Sequence, residues 1–139
     1  MNERQVCTAK HIDHTAIAVR NLEETLKFYE LTFGVSGAEV QEISDQGVKA
    51  VLIPVGRSEL EIIEPIDSNS GVARFIDRHG EGLHHICFEV DDINGKLRTL
   101  ESMGMELIDK QPRRGLAGMI AFIHPRSTGG VLIELAEKI

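Results

Sequence analysis

Apolar and polar residues alternate along residues 12–19 and again along residues 83–90, and this period of two predicts two β-strands. After Asn21 and after Asp92, apolar residues return every three or four positions. That period predicts two amphipathic helices, with Asn21 and Asp92 as their N-caps. A strand followed by a helix therefore occurs twice in the chain.

More strands are predicted after each helix, where apolar runs are bounded by turn residues. The runs are residues 48–55, 59–63, 119–123 and 131–135, with weaker strand patterns at 36–43 and 106–108. Between the two halves, Ser70 and Gly80 bound a short helix. Each half thus has the order β-α-β-β-β.

The two halves also align residue by residue. His85 aligns with His14 in a register that continues through both helices, and Leu60-Glu61-Ile62-Ile63-Glu64 matches Ile133-Glu134-Leu135-Ala136-Glu137 after a slip of two residues. We expect an α+β fold in one domain spanning residues 1–139. Its parts are module one at about 11–64, a linker with a short helix at about 65–81, and module two at about 82–139. Together the modules should form a curved mixed sheet of about eight strands.

Composition sets limits on the class of protein. The chain has 139 residues, of which 42% are hydrophobic and 27% charged, as in an ordinary globular domain. No apolar run approaches the roughly 20 residues that cross a bilayer, and the first ten residues lack the core of a signal peptide. From Cys7 and Cys87 we expect no disulfide framework. We expect a cytoplasmic protein without a membrane partner.

Charge excludes one further class of partner. The net charge is −7 and the isoelectric point is about 5.3. Nucleic-acid binding requires a basic surface that displaces phosphate counterions, so we expect no nucleic-acid partner.

Strand alternation identifies a candidate metal site. His14 and His85 occupy equivalent positions on the first strands, while Glu61 and Glu134 interrupt apolar strands near the ends of the modules. A carboxylate on the inner face of a sheet is costly to bury without compensation. If the modules are related by a pseudo-twofold axis, these four side chains meet at one centre.

The donor set indicates the kind of metal. Two imidazoles and two carboxylates suit a first-row ion such as Mn, Fe, Co, Ni or Zn rather than Ca. Such an ion would act as a Lewis acid. The remaining histidines lack the symmetry and are interpreted as structural or surface residues: His11, His79, His84 and His124.

This paired organisation resembles the vicinal oxygen chelate (glyoxalase-like) superfamily. Within it, several segments are similar to the methylmalonyl-CoA epimerase family: Ile12-Asp13-His14, Leu60 to Pro65, Gly80 to Ile86, and His124-Pro125 with Gly129 to Leu135. The resemblance runs from about Ile12 to Glu137.

The resemblance implies an isomerase that interconverts the (R) and (S) forms of methylmalonyl-CoA through an enolate. It implies one divalent ion per chain, commonly cobalt with zinc, manganese or nickel as alternatives, held by His14, Glu61, His85 and Glu134 in a homodimer. Glu134 is the first choice for the catalytic base, Glu61 the second and Glu89 the third. Some relatives have a carboxylate where this chain has Ala50, so a two-base mechanism does not transfer directly.

An acyl-CoA substrate carries phosphates, which cations bind. The densest group of cations is the loop with Lys110, Arg113 and Arg114, near Arg126, and we expect these loop residues to bind substrate. Two other functions stay open: a glyoxalase I-type lactoylglutathione lyase, and a non-catalytic protein that binds a small molecule.

Overall fold

The computed structural model describes residues 8–37 and 39–138, so Cys7 lies outside the described residues. The strands are β1 Ala9–Ala18, β2 Gln41–Ile43, β3 Val48–Val55, β4 Ser58–Pro65, β5 Gly82–Val90, β6 Arg113–Gly115, β7 Gly118–Ile123 and β8 Ile133–Glu137. The α-helices are α1 Leu22–Phe33, α2 Gly71–His79 and α3 Ile93–Ser102. This order confirms the predicted repetition of β-α-β-β-β around a short linking helix.

The strands form an eight-stranded mixed sheet in the order β2-β3-β4-β1-β5-β8-β7-β6. In each half the first strand pairs in parallel with the last one, β1 with β4 and β5 with β8. The consecutive strands β2–β3, β3–β4, β6–β7 and β7–β8 pair antiparallel. The α+β class and the mixed sheet are confirmed.

Contacts divide the chain into two compact units. The middle unit comprises residues His14–His84, and the terminal unit comprises the residues up to Asp13 together with those from His85 onward. Strand β1 therefore contributes its first residues to the terminal unit and its last residues to the middle unit.

The helix ends follow the local sequence. Asn21 and Asp92 accept hydrogen bonds from the N–H groups of Glu24 and Gly95, as predicted for N-caps. Ser70 does the same for Ala73 at the start of α2. Gly34 ends α1 in the left-handed conformation, with φ at 67°.

Each long helix also has a cap that comes from a distant strand. The N–H of Leu22, the first residue of α1, donates to Glu64 Oε1 at 2.7 Å. The N–H of Ile93, the first residue of α3, donates to Glu137 Oε1 at 3.0 Å. These two glutamates close the last strands of the two halves, so the repeat extends to the way in which each helix is attached to its sheet.

Each unit has its own apolar core beneath its helix. In the middle unit, Leu22 of α1 packs with the buried residues Val51, Ile53 and Ile62. In the terminal unit, three residues of α3 pack on one sheet face: Ile93, Leu97 and Leu100, against Val90, Ala121, Ile123 and Leu135. Phe28 of α1 is 54% exposed and packs edge-on against Tyr29.

One weak strand prediction was wrong in its position. Residues 106–108 form only an isolated bridge, Leu107 with Ile123, whereas the short strand β6 lies in the predicted basic loop. Beyond this bridge the Asp109 side chain accepts the N–H of Phe122 at 2.9 Å, in place of a backbone carbonyl. A side chain in that position ends the ladder.

No helix in the described ranges has both the length and the apolar character that crossing a bilayer requires.

Candidate metal centre

In the middle unit, β1 and β4 bring His14 and Glu61 to one face of the sheet. Ala16 is directly opposite Glu61 in the parallel pair, and His14 lies two residues before Ala16. His14 Nε2 is 3.3 Å from Glu61 Oε1, and both side chains are buried. The imidazole and the carboxylate therefore form a compact buried pair.

The terminal unit contains the equivalent pair. Cys87 is opposite Glu134 in the parallel pair of β5 and β8, and His85 lies two residues before Cys87. His85 Nε2 is 2.9 Å from Glu134 Oε1, with 5% of His85 and 4% of Glu134 exposed. The sequence correctly separated His85 from its neighbour His84, which lies on the other face of β5.

The chemistry of these donors fits a divalent ion. Each pair offers one imidazole nitrogen and one carboxylate oxygen, and these buried His and Glu side chains could hold a metal. Imidazole and carboxylate suit first-row ions, and a cation would compensate for the burial of two carboxylates.

Phe122 orients the His85 ring. The two rings meet edge to face, with centroids 5.3 Å apart at an interplanar angle of 85°. Phe122 lies on β7 directly opposite Glu134. The same aromatic side chain thus packs next to both members of the His85–Glu134 pair.

Glu89, the third candidate base, shares the face of β5 with His85 and contacts His11 and Lys10 in the terminal unit. His11 Nε2 lies 2.8 Å from Glu89 Oε1, and Lys10 Nζ lies 3.4 Å from its other oxygen. The carboxylates of Asp91 and Glu89 raise the pKa of Lys10 above its ordinary value. These contacts give Glu89 and His11 a structural role.

The other histidines that the sequence left without a ligand role make local contacts. The rings of His79 and His84 lie 4.9 and 4.8 Å from the Phe75 ring. His124 Nδ1 accepts the N–H of Arg126 at 3.0 Å, at the start of a short 3₁₀ turn.

The cations of the basic loop have different surroundings. Lys110 Nζ is 3.2 Å from Glu101 Oε2 on α3, and Arg126 Nη2 is 3.0 Å from Glu106 Oε2. Arg113 Nε lies 3.0 Å from Asp109 Oδ1. The sequence did not single out Asp109 or Phe122.

Comparison with known proteins identifies the family. The sequence model of the Glyoxalase/Bleomycin resistance protein/Dioxygenase superfamily matches residues 13–122, which include three of the four candidate ligands. The chain belongs to this superfamily. The sequence resembles the same superfamily, and this prediction is confirmed.

Within the superfamily, the chain is a homologue of isomerases. It is 36% identical to the mitochondrial methylmalonyl-CoA epimerase of Dictyostelium discoideum, over 91% of this chain and 78% of that protein. The protein YqjC of Bacillus subtilis is 39% identical over 91% of both chains. A variant of the Streptomyces coelicolor methylmalonyl-CoA epimerase, in complex with 2-nitronate-propionyl-CoA, superposes with a TM-score of 0.90. That structure is 32% identical, covering 94% of this chain and 96% of its own.

Proposed function

We propose that this protein is a metal-dependent methylmalonyl-CoA epimerase, in which the two His–Glu pairs hold one divalent ion. The observation that carries the proposal is the matched pair of buried His and Glu side chains in a homologue of known epimerases. The structure of a homologous epimerase with an acyl-CoA analogue supports the substrate class.

The proposed roles follow from the chemistry of the substrate. The α-carbon of methylmalonyl-CoA lies between two carbonyl groups, so removing its proton sends the C–H electron pair onto their oxygens. A divalent ion bound here would stabilise that developing charge. His14 and His85 would hold the ion as neutral imidazoles, and Glu61 and Glu134, the carboxylate next to each ring, would hold it with them.

A carboxylate of the site would accept the α-proton from one side of the planar enolate. We propose Glu134 for this step and Glu61 as the second candidate, since both are buried beside a candidate ligand. Ala50, which is fully buried on β3, has no group that could transfer a proton at the position where some relatives have a carboxylate. Return of a proton to the opposite face of the enolate completes the inversion.

The test is hydrogen exchange at the α-carbon. We expect the metal-loaded protein, incubated with methylmalonyl-CoA in deuterated water, to incorporate α-deuterium, which mass spectrometry detects. His85→Ala should abolish the exchange, whereas His84→Ala, on the other face of β5, should retain it. Unchanged exchange in His85→Ala contradicts the proposed metal role.

Two other outcomes would assign a different function. Formation of lactoylglutathione from its hemithioacetal, without exchange into methylmalonyl-CoA, indicates a glyoxalase I-type enzyme. Tight ligand binding by metal-free protein, without exchange, indicates a non-catalytic binder. The native metal, the homodimer and the cytoplasmic location stay predictions, and light scattering on a sizing column tests the dimer.

A further inference from the structure

We propose that Arg113 positions an anionic group of the acyl-CoA substrate, a carboxylate or a phosphate, next to the His85–Glu134 pair. This inference rests on the proposed function and selects one of the three loop cations that the sequence put forward. It concerns only residues of the terminal unit.

The strand register places Arg113 on the face that carries the candidate ligands. In an antiparallel ladder, directly opposite residues project to the same side. Arg113 is opposite Ile120, and Ile120 is in turn opposite Ala136. Ala136 lies two residues after Glu134 on β8, so Arg113 and Glu134 share one face of the sheet.

Contacts hold the guanidinium on that face. Asp109 Oδ1 accepts a hydrogen bond from Arg113 Nε at 3.0 Å, and the other oxygen of Asp109 accepts the Phe122 N–H. The Arg113 Cζ atom lies 5.8 Å from the centre of the Phe122 ring, which itself packs against His85. One aromatic ring therefore separates the cation from the candidate metal ligand.

The guanidinium is held but still accessible. Its hydrogen bond to Asp109, within the described part of the chain, uses Nε, which leaves the two terminal nitrogens to donate to a ligand. The side chain of Arg113 is 36% exposed, whereas that of Asp109 is 15% exposed. A cation fixed through one nitrogen and open at two others suits the bidentate recognition of a carboxylate or a phosphate.

The other two loop cations point elsewhere. Lys110 is paired with Glu101 of α3, the helix that packs on the opposite face of the sheet. Arg114 follows Arg113 on β6, so alternation turns it to that opposite face, where it is exposed opposite Met119.

Charge makes such a residue necessary. The chain carries a net charge of −7, and Glu134 and Glu89 lie on the same face as Arg113. An anionic ligand that approaches these carboxylates is repelled unless a local cation offsets them. Arg113 is a substrate-positioning residue in this proposal.

The test measures ligand binding by calorimetry with metal-loaded protein whose metal content has been verified. We expect Arg113→Gln to weaken methylmalonyl-CoA binding by about 10- to 100-fold, the loss of a charge-assisted hydrogen bond. Arg113→Lys should recover part of the loss because it keeps the charge without the planar fork. The control is Arg98→Gln, the same substitution at an exposed residue of α3, which should bind like the wild type.

Two further ligands identify the anionic group. Propionyl-CoA lacks the free carboxylate, and the pantetheine thioester of methylmalonate lacks the nucleotide phosphates. If Arg113 binds the carboxylate, Arg113→Gln weakens the pantetheine ester but not propionyl-CoA. If Arg113 binds a phosphate, Arg113→Gln weakens the binding of propionyl-CoA but not that of the pantetheine ester. Either pattern supports the proposal.

Three results overturn the proposal for Arg113. They are an unchanged affinity for methylmalonyl-CoA in Arg113→Gln, an equal loss of that affinity in Arg114→Gln, or a loss of bound metal in Arg113→Gln. Failure of the proposed function is distinguishable, because the wild-type protein would then either not bind methylmalonyl-CoA or bind it without exchanging its α-hydrogen for deuterium.

Discussion

His85 Nε2 lies 2.9 Å from Glu134 Oε1 in the terminal unit, and the middle unit repeats this pair with His14 and Glu61. If both pairs hold the same ion, wild-type protein binds one divalent ion per chain. His14→Ala and His85→Ala should then each lower the affinity by more than about 100-fold, beyond the usual effect of an outer-shell residue. Metal analysis after dialysis measures the stoichiometry.

The matched control for this prediction is His84→Ala, which should keep the ion. Two ions per wild-type chain, with one ion retained in each of His14→Ala and His85→Ala, would instead reveal two independent sites.

The Asp109–Arg113 bond predicts coupling between two substitutions. Asp109→Ala removes both the bond to Arg113 and the acceptor for the Phe122 N–H, so it should weaken methylmalonyl-CoA binding even though Asp109 does not touch the ligand. In a double-mutant cycle with Arg113→Ala, we expect a coupling free energy of about 0.5–3 kcal/mol in binding. Strict additivity would mean that Asp109 does not orient Arg113.

The long-range helix caps predict a matched loss of stability. Glu64→Ala and Glu137→Ala each leave the first N–H of a helix without its charged acceptor, so each should lower the free energy of unfolding by about 1–3 kcal/mol. Urea denaturation measures the loss. The control is Glu30→Ala, at an exposed position of α1, which should change the free energy of unfolding by less than about 0.5 kcal/mol. Equal losses of stability in all three variants would show that the caps contribute nothing.

Two glycines predict opposite effects of the same substitution. A Cβ at Gly118, where φ is +127°, would collide with the backbone carbonyl oxygen of Glu137, so Gly118→Ala should destabilise the pairing of β7 with β8. Gly71 begins α2, and a Cβ added there would have no other atom within 4 Å, so Gly71→Ala should stabilise by up to about 1 kcal/mol. Thermal unfolding of the two variants measures whether each substitution lowers or raises stability. A Gly118→Ala protein as stable as the wild type would contradict the predicted clash with Glu137.

Local signals were sufficient to predict the helices. Asn21, Ser70 and Asp92 act through hydrogen bonds that span three residues, so their role is readable from a short stretch of sequence. The candidate ligands were also predictable, because duplication shows which His and which Glu occupy equivalent strand positions. His85 could be separated from His84 by alternation alone.

The basic loop was harder to predict because its structure depends on contacts across 13 residues. The position of β6 follows from Asp109, which bonds Phe122 on another strand and Arg113 four residues away. Composition marks this segment only as charged. The difference between Arg113 and Arg114 appears only when the register of β6 is known.

Strand β1 has a consequence for the evolutionary history of the chain. The middle unit is one uninterrupted segment, His14–His84, whereas the terminal unit combines the first residues of β1 with the residues from His85 onward. A gene split between the copies would separate β5 from the strand next to it. Duplication therefore did not produce two self-contained copies, because the compact unit of the second copy also needs the start of β1, which the first copy provides.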